Sequence, residues 1–416
     1  MDIFAACLYS ASYLYIQVEA LVTRTVPEYR RGFVFDPAAQ QSAMDLMQRL
    51  VRLFRAGSTD LAPAQMREPV SNYLDVQLWQ REMAEIFYQL PVPVGLSAEL
   101  PRAGDYKAVN VAGRSILLAR GRDGGLNAMM NVCRHRSMQL MPEGCGSARR
   151  FTCLYHAWSY GLDGRLLGVQ AEDTFGAVDR DEFSLLRLEC GERAGLMFVA
   201  LAPGVAFDLD EWLGDLLPEL ETLGLSDTVP FSTRYLKGPN WKVTADGYLE
   251  SYHFASLHPN SVAQTDISNL AAFDAYGPHM RNTFALKPLA LAAELPRDQW
   301  DPMECLGVTY WIFPGLAIAG GWRDHIAVSI MLPGAEWGSS LTEQTLLVRH
   351  APQNEIERAL AQASSDFFHD AVRDEDYAAQ QQVQGALPSV ASEYQIFGRN
   401  EPAVQHFHRT LAKLTG

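Results

Sequence analysis

Positive charge is scarce in this sequence. Its 416 residues include 34 lysines and arginines against 49 aspartates and glutamates, which gives a formal net charge of −15. A chain with this excess of negative charge is a poor match for the phosphate backbone of nucleic acids or for an anionic membrane surface. We therefore expect no nucleic acid and no membrane as partners, and instead a small-molecule substrate or a protein with a basic docking face.

Long apolar runs and cysteines are also few. The apolar stretch at residues 3–16 is too short to span a bilayer, and no basic residue precedes Arg24, so the charged start of a secretory signal is missing. Six cysteines are too few for a disulfide scaffold in a chain of this length. We expect a cytoplasmic protein in which residues 3–16 form a packed helix or a poorly defined leader.

The spacing of apolar and turn residues changes along the chain. Helices are predicted at 37–58 and 76–88, and a small antiparallel β domain follows, with strands at 106–111, 115–120, 126–132 and 195–201. After about residue 230 the predicted strands (310–320, 325–332, 342–350) mix with predicted helices (240–257, 354–386, 401–413). The expected fold class is α+β, with a small β domain and a larger α+β domain.

Two short segments combine cysteine with histidine. Cys133 and His135 stand two residues apart, and seventeen residues separate His135 from Cys153, which is followed by His156. Structural zinc sites usually pair like residues, whereas each segment here offers one cysteine and one histidine. A Rieske [2Fe–2S] cluster needs that mixture, because two cysteines bind one iron and two histidines bind the other. The spacing therefore predicts a Rieske cluster rather than zinc.

The stretch 131–158 resembles the cluster-binding loops of Rieske non-heme iron oxygenases of the aromatic-ring-hydroxylating type. We expect Tyr155 and Trp158 to shield the cluster. The family often has glycine after the first ligand pair and proline after the second cysteine, where this chain has Ser137 and Leu154. We expect these differences to alter loop stiffness or cluster potential without removing a ligand.

A second group of candidate ligands lies in the segment 240–259. Two histidines, His253 and His258, with one carboxylate would form the facial triad of non-heme Fe(II) oxygenases, which leaves positions open for O₂ and substrate. Positions five apart on an ideal helix point roughly 140° away from each other. The helix must therefore end or distort between the two histidines, and Pro259 fits such an end.

Asp246, Glu250 and His253 fall at i, i+4 and i+7, so a continuous helix would place them on one face. Three ionisable groups on one face of a largely apolar helix indicate a function. The segment also resembles the mononuclear-iron helix of the same family. That resemblance implies His253 and His258 as iron ligands, and Asn240 and Glu250 as catalytic residues.

The resemblance further implies an electron path between subunits. Glu250 occupies the place of an acidic residue that bridges to the Rieske histidine of a neighbouring subunit, which in this chain is His156. Aspartate is commoner at that place, and glutamate marks a subset of the family. Such a path implies a cyclic oligomer, and we expect a homotrimer.

The third iron ligand is expected among the carboxylates of residues 366–376, and spacing alone does not choose among them. The run 375–389 resembles the family's late E-D…Q-x-G-L-x-S stretch, in which the aspartate is the ligand. The resemblance therefore selects Asp376, with Asp370 as the second choice. The remaining histidines, including His406 and His408 near the C-terminus, are expected to be structural or at the surface.

Electrons must come from a separate polypeptide, because the chain has no evident NAD(P) or flavin fingerprint. We expect a reductase, with or without a ferredoxin, to pass electrons from NAD(P)H to the Rieske cluster and on to mononuclear Fe(II), where O₂ and substrate react. The expected domains are an N-terminal helical segment on the catalytic domain (1–90), the Rieske domain (91–205) and a catalytic domain with a helix-grip-like antiparallel sheet (206–416).

The substrate is the least determined part of this interpretation. An apolar pocket is expected from Phe254, Leu257, Phe313 and Leu316, and it favours hydroxylation or dihydroxylation of a small aromatic compound, as in the catabolism of aromatic hydrocarbons. The second hypothesis is monooxygenation or N-demethylation of a quaternary ammonium compound held in an aromatic cage. The candidate cage residues are Trp300, Tyr310, Trp311 and Trp322. Two more protein classes stay open at this point, namely a Rieske electron carrier without oxygenase activity and a structural zinc protein.

Overall fold

The computed structural model describes residues 37–320, 322–389 and 392–416, so the predicted helix at 3–16 lies outside the described residues. Contacts divide the chain into two units. One, which we call the β unit, comprises Trp79–Leu217 and Gly224–Asp227. The other, the α+β unit, comprises the described residues up to Leu78 together with Pro218–Leu223 and Thr228–Gly416.

The described chain begins with an amphipathic helix, α1 (Pro37–Arg55), as predicted. Its buried side chains recur with the helical period, and they are Ala43, Leu46, Met47, Leu50 and Val51. Arg49 donates a hydrogen bond to Asp274, which ties the helix to the rest of the α+β unit. There follow β1 (Met66–Pro69), α2 (Ser71–Leu74) and α3 (Val76–Glu82), the last continued by a π-helical turn at Met83–Phe87.

The β unit contains short antiparallel strands in three sheets, ordered β10-β5-β4-β3-β6, β11-β12-β2 and β7-β8-β9. The strands are β2 (Val92–Leu96), β3 (Asp105–Val111), β4 (Arg114–Arg120), β5 (Leu126–Met130), β6 (Gly144–Ser147), β7 (Phe151–Thr152), β8 (Ser159–Tyr160), β9 (Leu166–Gly168), β10 (Arg187–Leu188), β11 (Cys190–Arg193) and β12 (Leu196–Val199). Two short helices, α4 (Glu172–Phe175) and α5 (Leu209–Leu213), accompany them.

Local sequence accounts for the β3–β4 hairpin. Ala112 and Gly113 both have positive φ, at 49° and 79°, as a two-residue hairpin turn with the twist of its strands requires. Tyr88 packs within the β unit. The Tyr88 hydroxyl donates to the Ala112 carbonyl at 3.0 Å, and the Arg114 guanidinium lies 3.7 Å from the centre of its ring.

The α+β unit is built on a seven-stranded antiparallel sheet in the order β13-β19-β18-β17-β16-β15-β14. In chain order the elements after α5 are α6 (Leu217–Thr222), β13 (Val229–Gly238), α7 (Trp241–Tyr248), α8 (Phe254–Leu257), β14 (Asp266–Tyr276), β15 (His279–Leu286), α9 (Pro288–Ala292), α10 (Pro302–Cys305), β16 (Leu306–Ile312), β17 (Leu316–Ala319), β18 (His325–Pro333), β19 (Ser340–Val348), α11 (Glu355–Asp370), α12 (Tyr377–Ala386), β20 (Tyr394–Phe397) and α13 (Pro402–Thr415). Single 3₁₀ turns lie at Ser97–Glu99, Gly214–Leu216, Leu225–Asp227, Val262–Gln264, Arg297–Gln299 and Leu387–Ser389.

Two predicted elements differ from the observed ones here, and three strands were missed. The strand predicted at 310–320 is the hairpin β16–β17, in which Ile312 pairs with Leu316 around a turn that contains Pro314 and Gly315. The helix predicted at 354–386 is interrupted by a π-helical turn at Ala371–Asp376 between α11 and α12. Strands β13, β14 and β15 were not predicted. Among the described helices, none is both long and apolar enough to cross a membrane.

One face of the large sheet carries the helices of interest, and we call it the site face. The Thr244 hydroxyl of α7 lies 3.0 Å from the Ser340 hydroxyl of β19, and the Tyr377 hydroxyl of α12 lies 2.5 Å from that of Thr342. The Asn282 amide of β15 donates to the Leu249 carbonyl just after α7, at 3.1 Å. Because cross-strand partners share a face and successive residues alternate, these contacts identify the face to which every strand residue belongs.

Candidate metal centres

The two predicted cluster loops follow β5 and β7 and form matching turns. The Ser137 amide donates to the Cys133 carbonyl at 3.1 Å, and the Ala157 amide donates to the Cys153 carbonyl at 2.9 Å. Ser137 and Ala157 have positive φ, at 59° and 54°. The left-handed conformation favours glycine, which explains why glycine is frequent at the position of Ser137 in the family that the sequence resembles.

The structure brings the four predicted cluster ligands together. The Cys133 and Cys153 thiols are both buried and near enough to influence each other's titration, and the Cys133 sulfur lies 3.3 Å from the Tyr160 hydroxyl. The imidazole rings of His135 and His156 are neighbours, with centroids 4.7 Å apart. Two sulfurs and two nitrogens thus face one another across paired loops, as a Rieske cluster requires.

Two observations test whether these residues fit an iron–sulfur cluster. His156 Nδ1 is buried without a hydrogen-bond partner, an arrangement that costs free energy unless the atom binds something else. Burial raises the pKa of the Cys133 thiol, so a thiolate there needs a cation to stabilise it. Bound iron would satisfy both groups, and the residues therefore fit the cluster.

Aromatic rings lie against both imidazoles of the cluster site. Trp158 stacks on His135 with centroids 4.9 Å apart and an interplanar angle of 7°, and Tyr155 stacks on His156 at 3.8 Å and 28°. Trp158 is buried, whereas Tyr155 is 53% exposed and the preceding Leu154 is 85% exposed. The His156 ring therefore lies next to an exposed apolar surface, while the buried Trp158 lies against the His135 ring.

His253 and His258 flank the single turn of α8, the first as its N-cap and the second as its C-cap. The interruption of the helix that the sequence required occurs earlier than predicted, because α7 already ends at Tyr248. The expectation that Asp246, Glu250 and His253 share one helical face is therefore wrong. Asp246 remains on α7 and accepts a hydrogen bond from the His408 imidazole of α13 at 2.8 Å.

The three predicted iron ligands converge. Their ligand atoms, from His253, His258 and Asp376, all lie within 4.8 Å of one another. Asp376 Oδ1 is 3.1 Å from His258 Nε2 and 3.4 Å from His253 Nε2, and the two Nε2 atoms are 3.1 Å apart. Asp370, the second choice as ligand, instead pairs with Arg373 at 3.0 Å.

A carboxylate holds the far nitrogen of each imidazole. Glu250 contacts His253 Nδ1, and Glu375 contacts both His258 Nδ1 and the Ser261 hydroxyl. Such contacts fix the tautomer and orientation of a metal-binding histidine. Glu375 was not predicted. It lies in the π-helical turn Ala371–Asp376, a type of distortion that is frequent at functional sites.

The charges around the triad favour a bound cation. Burial lowers the pKa of both His253 and His258, but hydrogen bonds to Asp376 and to Glu250 or Glu375 outweigh burial and raise each pKa to about 9. For Asp376, burial raises the pKa, and the two histidines more than compensate and lower it. The histidines are therefore drawn towards the protonated state by an excess of negative charge, which a divalent metal ion would neutralise. The residues fit mononuclear iron.

Asn240, which was expected to be catalytic, is a helix cap. Its Oδ1 accepts from the Lys242 amide at 2.9 Å, and its Nδ2 donates to the Tyr73 and Trp337 carbonyls at 3.1 and 2.9 Å. The backbone amide of Asn240 donates to the Gln384 side chain. Because these hydrogen bonds fix the start of α7, we place Asn240 among the positioning residues.

Only part of the predicted pocket lies at the metal triad. The Phe254 ring is 5.1 Å from that of His253 and 5.9 Å from that of His258, and Leu257 lies on the same helical turn. Phe313, in contrast, packs against Phe407 of α13. Leu316 pairs with Ile330, which pairs with Glu343 and therefore lies on the sheet face opposite Thr342. Phe284, which was not predicted, lies on the site face, and its ring centroid is 5.5 Å from that of Phe254.

The four candidate cage aromatics do not meet. Trp311 packs against Phe407, and Tyr310 pairs with Arg281 on the sheet face opposite Asn282. Trp322 lies by a small cavity that is also lined by Met303 and Val308. The Trp300 indole donates to the Leu295 carbonyl at 3.2 Å. Period-2 alternation separates Tyr310 from Trp311, and the other two residues lie outside the strands.

Two known families match the chain. Residues 91–182 match "Rieske [2Fe-2S] domain", and residues 225–416 match "Ring hydroxylating alpha subunit (catalytic domain)". The first match contains the four cluster residues, and the second contains the His253, His258 and Asp376 triad.

Individual relatives agree with this assignment. The chain is 27% identical over 363 residues to the carnitine monooxygenase oxygenase subunit of Escherichia coli (strain K12), which covers 83% of this chain and 93% of that protein. It is 32% identical over 232 residues to the large oxygenase component of salicylate 5-hydroxylase from a Ralstonia species, covering 51% and 53%.

Solved structures show the same fold. The quaternary ammonium Rieske monooxygenase CntA in complex with L-carnitine matches with a TM-score of 0.73 and 22% identity, over 90% of this chain and 99% of that one. The paired cysteine–histidine loops, the histidine–carboxylate triad and both family matches agree. The chain belongs to the Rieske non-heme iron oxygenases and is the large, catalytic subunit type, with a Rieske [2Fe–2S] domain and a mononuclear-iron catalytic domain.

Proposed function

We propose that this oxygenase component monooxygenates a quaternary ammonium compound, with electrons supplied from NAD(P)H by a separate reductase. The observation that carries the proposal is the extent of the likeness to carnitine monooxygenase, which spans 93% of the oxygenase subunit of that enzyme. The likeness to salicylate 5-hydroxylase spans only 53% of the large oxygenase component. Glu250 adds support, because glutamate at the bridging place marks a subset that includes oxygenases of such compounds. This reverses the order of substrates that the sequence favoured.

The proposed reaction balances with the components named. A C–H bond next to the quaternary nitrogen is converted to C–OH, with one oxygen atom from O₂, two electrons and two protons, and the second oxygen atom leaves as water. The hydroxylated carbon then expels the nitrogen, so that a tertiary amine, a carbonyl compound and a proton are released. When the hydroxylated carbon is a methyl group, the net result is N-demethylation with formaldehyde as the carbonyl product.

Each residue at the triad has a defined part in this proposal. Iron would be held by His253, His258 and Asp376, and it would supply activation of O₂ on its open positions. Glu250 and Glu375 hold the Nδ1 atoms, so that both Nε2 atoms stay directed at the metal. The Phe254 ring covers the two imidazoles from the side of Phe284 and helps to exclude water.

We propose that electrons pass from His156 of one subunit to Glu250 of a neighbouring subunit in a homotrimer. His156 and Glu250 each have a neighbour in the chain at the surface of their own unit. Tyr155, which precedes His156, is 53% exposed, and Tyr252, two residues after Glu250, is 61% exposed. The solved structure of a quaternary ammonium Rieske monooxygenase described in terms of inter-subunit electron transfer supports the idea.

Mixed oligomers of two impaired variants test this path. In randomly mixed oligomers of His156→Ala and Glu250→Gln subunits, about a quarter of the interfaces place an intact His156 opposite an intact Glu250. We expect roughly that fraction of wild-type turnover, no turnover from His156→Ala alone, and no more than about a tenth from Glu250→Gln alone. Absence of recovery in mixed oligomers that contain both subunits would mean that the path does not cross subunits.

Hydroxylation of an aromatic compound is the second candidate. The likeness to salicylate 5-hydroxylase favours it, and so does the Phe254–Phe284 pair, because an aromatic ring packs well against aromatic side chains.

Single-turnover chemistry separates the two candidates without the natural reductase. The iron-loaded protein is reduced with dithionite, freed of reductant, and mixed with ¹⁸O₂ and one substrate at a time from a panel of L-carnitine, γ-butyrobetaine, glycine betaine, salicylate and naphthalene. We expect O₂-dependent release of a tertiary amine from a quaternary ammonium compound, with ¹⁸O in the carbonyl product. Labelled hydroxylated aromatics, with no amine, would instead establish the second candidate.

A further inference from the structure

A partly buried carboxylate that the triad does not use, Asp266, lies at the start of β14. Asp266 pairs with Leu286 of β15, and its Oδ2 accepts a hydrogen bond from the Thr265 hydroxyl at 2.6 Å. Its Oδ1 lies 3.8 Å from the position that a Cβ atom would occupy on Gly307 of β16, and the Leu286 side chain lies 3.4 Å from that same point. The carboxylate therefore borders a space that the absence of a side chain at Gly307 leaves open.

This space belongs to the site face, next to the metal triad. Gly307 pairs with Phe284, so both residues are directed towards the same side of the sheet. The Phe284 ring lies 5.5 Å from that of Phe254, which in turn contacts both triad imidazoles. The His258 imidazole is near enough to act on the charge of Asp266. Asp266 therefore lies beside Gly307 on the side of the sheet that carries Phe284, and the Phe284 and Phe254 rings lead from there to the iron ligands.

The neighbouring side chains do not offset the effect of burial on Asp266. Burial raises the pKa of Asp266 to about 6, although the Thr265 hydroxyl and the charges of Arg323, Lys287 and His258 act in the opposite direction. Because these groups fail to offset burial, a further cation beside the carboxylate would be favourable. The group is ionised at neutral pH and is then available to such a cation.

We propose that Asp266 is a specificity-determining residue that binds the cationic head of the substrate beside the Phe254 and Phe284 rings. The inference rests on the proposed function, because only a quaternary ammonium substrate carries such a head. A carboxylate supplies the Coulombic attraction, and the two aromatic faces favour the same cation through their quadrupoles. Because Gly307 has no side chain, one methyl-sized position beside the carboxylate stays open to the head.

The test compares a cation with its neutral isostere. Dissociation constants are measured by calorimetry on the anaerobic, reduced, iron-loaded enzyme for the best quaternary ammonium substrate and for the analogue in which carbon replaces the charged nitrogen. We expect Asp266→Asn to weaken binding of the cation at least ~10-fold, equivalent to about 1.4 kcal/mol, while binding of the isostere stays within ~2-fold. Asp266→Glu should retain the preference for the cation.

Two further variants keep the test interpretable. Asp298→Asn removes a carboxylate from an exposed position of the same unit and should leave both dissociation constants unchanged. Gly307→Ala adds a methyl group at ordinary contact distance from its neighbours, so this variant should fold. Because the methyl group narrows the space beside Asp266, the variant should bind the cation several-fold more weakly.

The outcomes separate this inference from the proposed function. Oxidation of quaternary ammonium compounds with equal binding by wild type and Asp266→Asn would overturn the role of Asp266 and leave the function intact. Failure of wild type to bind or oxidise any quaternary ammonium compound would overturn both. If Asp266→Asn weakened binding of the cation and of its isostere equally, the role of Asp266 would be merely structural.

Discussion

The buried imidazole of His408 gives a quantitative prediction about stability. In α13, His408 Nε2 lies 2.8 Å from Asp246 Oδ1 of α7, and Nδ1 lies 3.3 Å from Glu68 Oε1 of β1. The Tyr73 hydroxyl donates to the second oxygen of Asp246 at 2.7 Å. The imidazole thus joins three elements that are far apart in the sequence, and its side chain is only 1% exposed.

The size of the effect follows from the pKa of His408. Burial lowers this pKa, but the charges and hydrogen bonds of Asp246 and Glu68 outweigh burial and raise it from 6.5 to about 9. A pKa raised in the folded state stabilises the protein fully below pH 6.5, and this stabilisation is lost as the pH rises through about 9. At about 1.36 kcal/mol per pKa unit, roughly 2.5 kcal/mol should disappear between about pH 7 and about pH 10.

The perturbation is His408→Gln, measured by urea unfolding followed by tryptophan fluorescence over that pH range. At neutral pH the variant should lose about 3 kcal/mol or more, because Asp246 and Glu68 both lose the imidazolium that lies between them. Its free energy of unfolding should also lack the decline at high pH that the wild type shows. The protein must be iron-loaded, because His253 and His258 would otherwise titrate in the same range.

His406→Gln is the matched control, two residues away on the same helix. Burial is the largest influence on the pKa of His406 and lowers it, so this residue contributes no stability that is lost above pH 6.5. A wild-type decline that persists unchanged in His408→Gln would refute the assignment of the pH dependence to His408.

Further predictions concern the iron ligands and their carboxylate partners. Asp376→Ala should reduce the iron content from about three to about two per chain without loss of the Rieske EPR signal, whereas Asp370→Ala should retain about three; equal iron in both variants would exclude Asp376 as a ligand. Glu375→Gln should weaken retention of the mononuclear iron by about 10- to 100-fold in a chelator competition; unchanged retention would contradict its role on His258. Glu250→Gln should retain all the iron and slow transfer of the cluster electron by at least ~10-fold in stopped-flow absorbance; wild-type transfer would remove it from the path.

The sequence was most informative where ligands are close together in the chain. The residue types in the two cluster loops, and their spacing from Cys133 to His156, suffice to bring four side chains together, because each loop is a single turn after a strand. His253 and His258 are likewise separated by one helical turn. For Asp376 the local pattern left several carboxylates open, and only the family resemblance selected the residue that the structure places at the triad.

What could not be predicted depends on contacts between distant segments. Asp246 was grouped with Glu250 and His253 on an assumed continuous helix, but α7 ends at Tyr248, and the partner of Asp246 is His408, 162 positions later. No local pattern encodes such a contact. The four aromatic residues proposed from the sequence as a cage do not come together for a related reason. Alternation along β16 directs the adjacent residues Tyr310 and Trp311 to opposite faces of the sheet.

The π-helical turn Ala371–Asp376 shows how one backbone irregularity shapes the iron site. Glu375 and Asp376 are adjacent in the chain, yet they contact the opposite nitrogens, Nδ1 and Nε2, of the same imidazole, His258. A pattern search based on a regular helix treats the two carboxylates as competitors for one place. The structure uses both.

The two carboxylate–histidine pairs at the triad are chemically alike, and their exposure distinguishes them. The His258 side chain is only 2% exposed, whereas that of His253 is 19% exposed and its partner Glu250 lies beside the exposed Tyr252. Of the two pairs, Glu250 and His253 therefore lie nearer the surface of the unit, which suits the proposed electron path between subunits. Glu375 and His258 are left with a holding role, so the two glutamine variants should have opposite effects. Loss of Glu250 should slow electron transfer in a fully metallated enzyme, and loss of Glu375 should release iron from an enzyme whose remaining loaded sites still receive electrons normally.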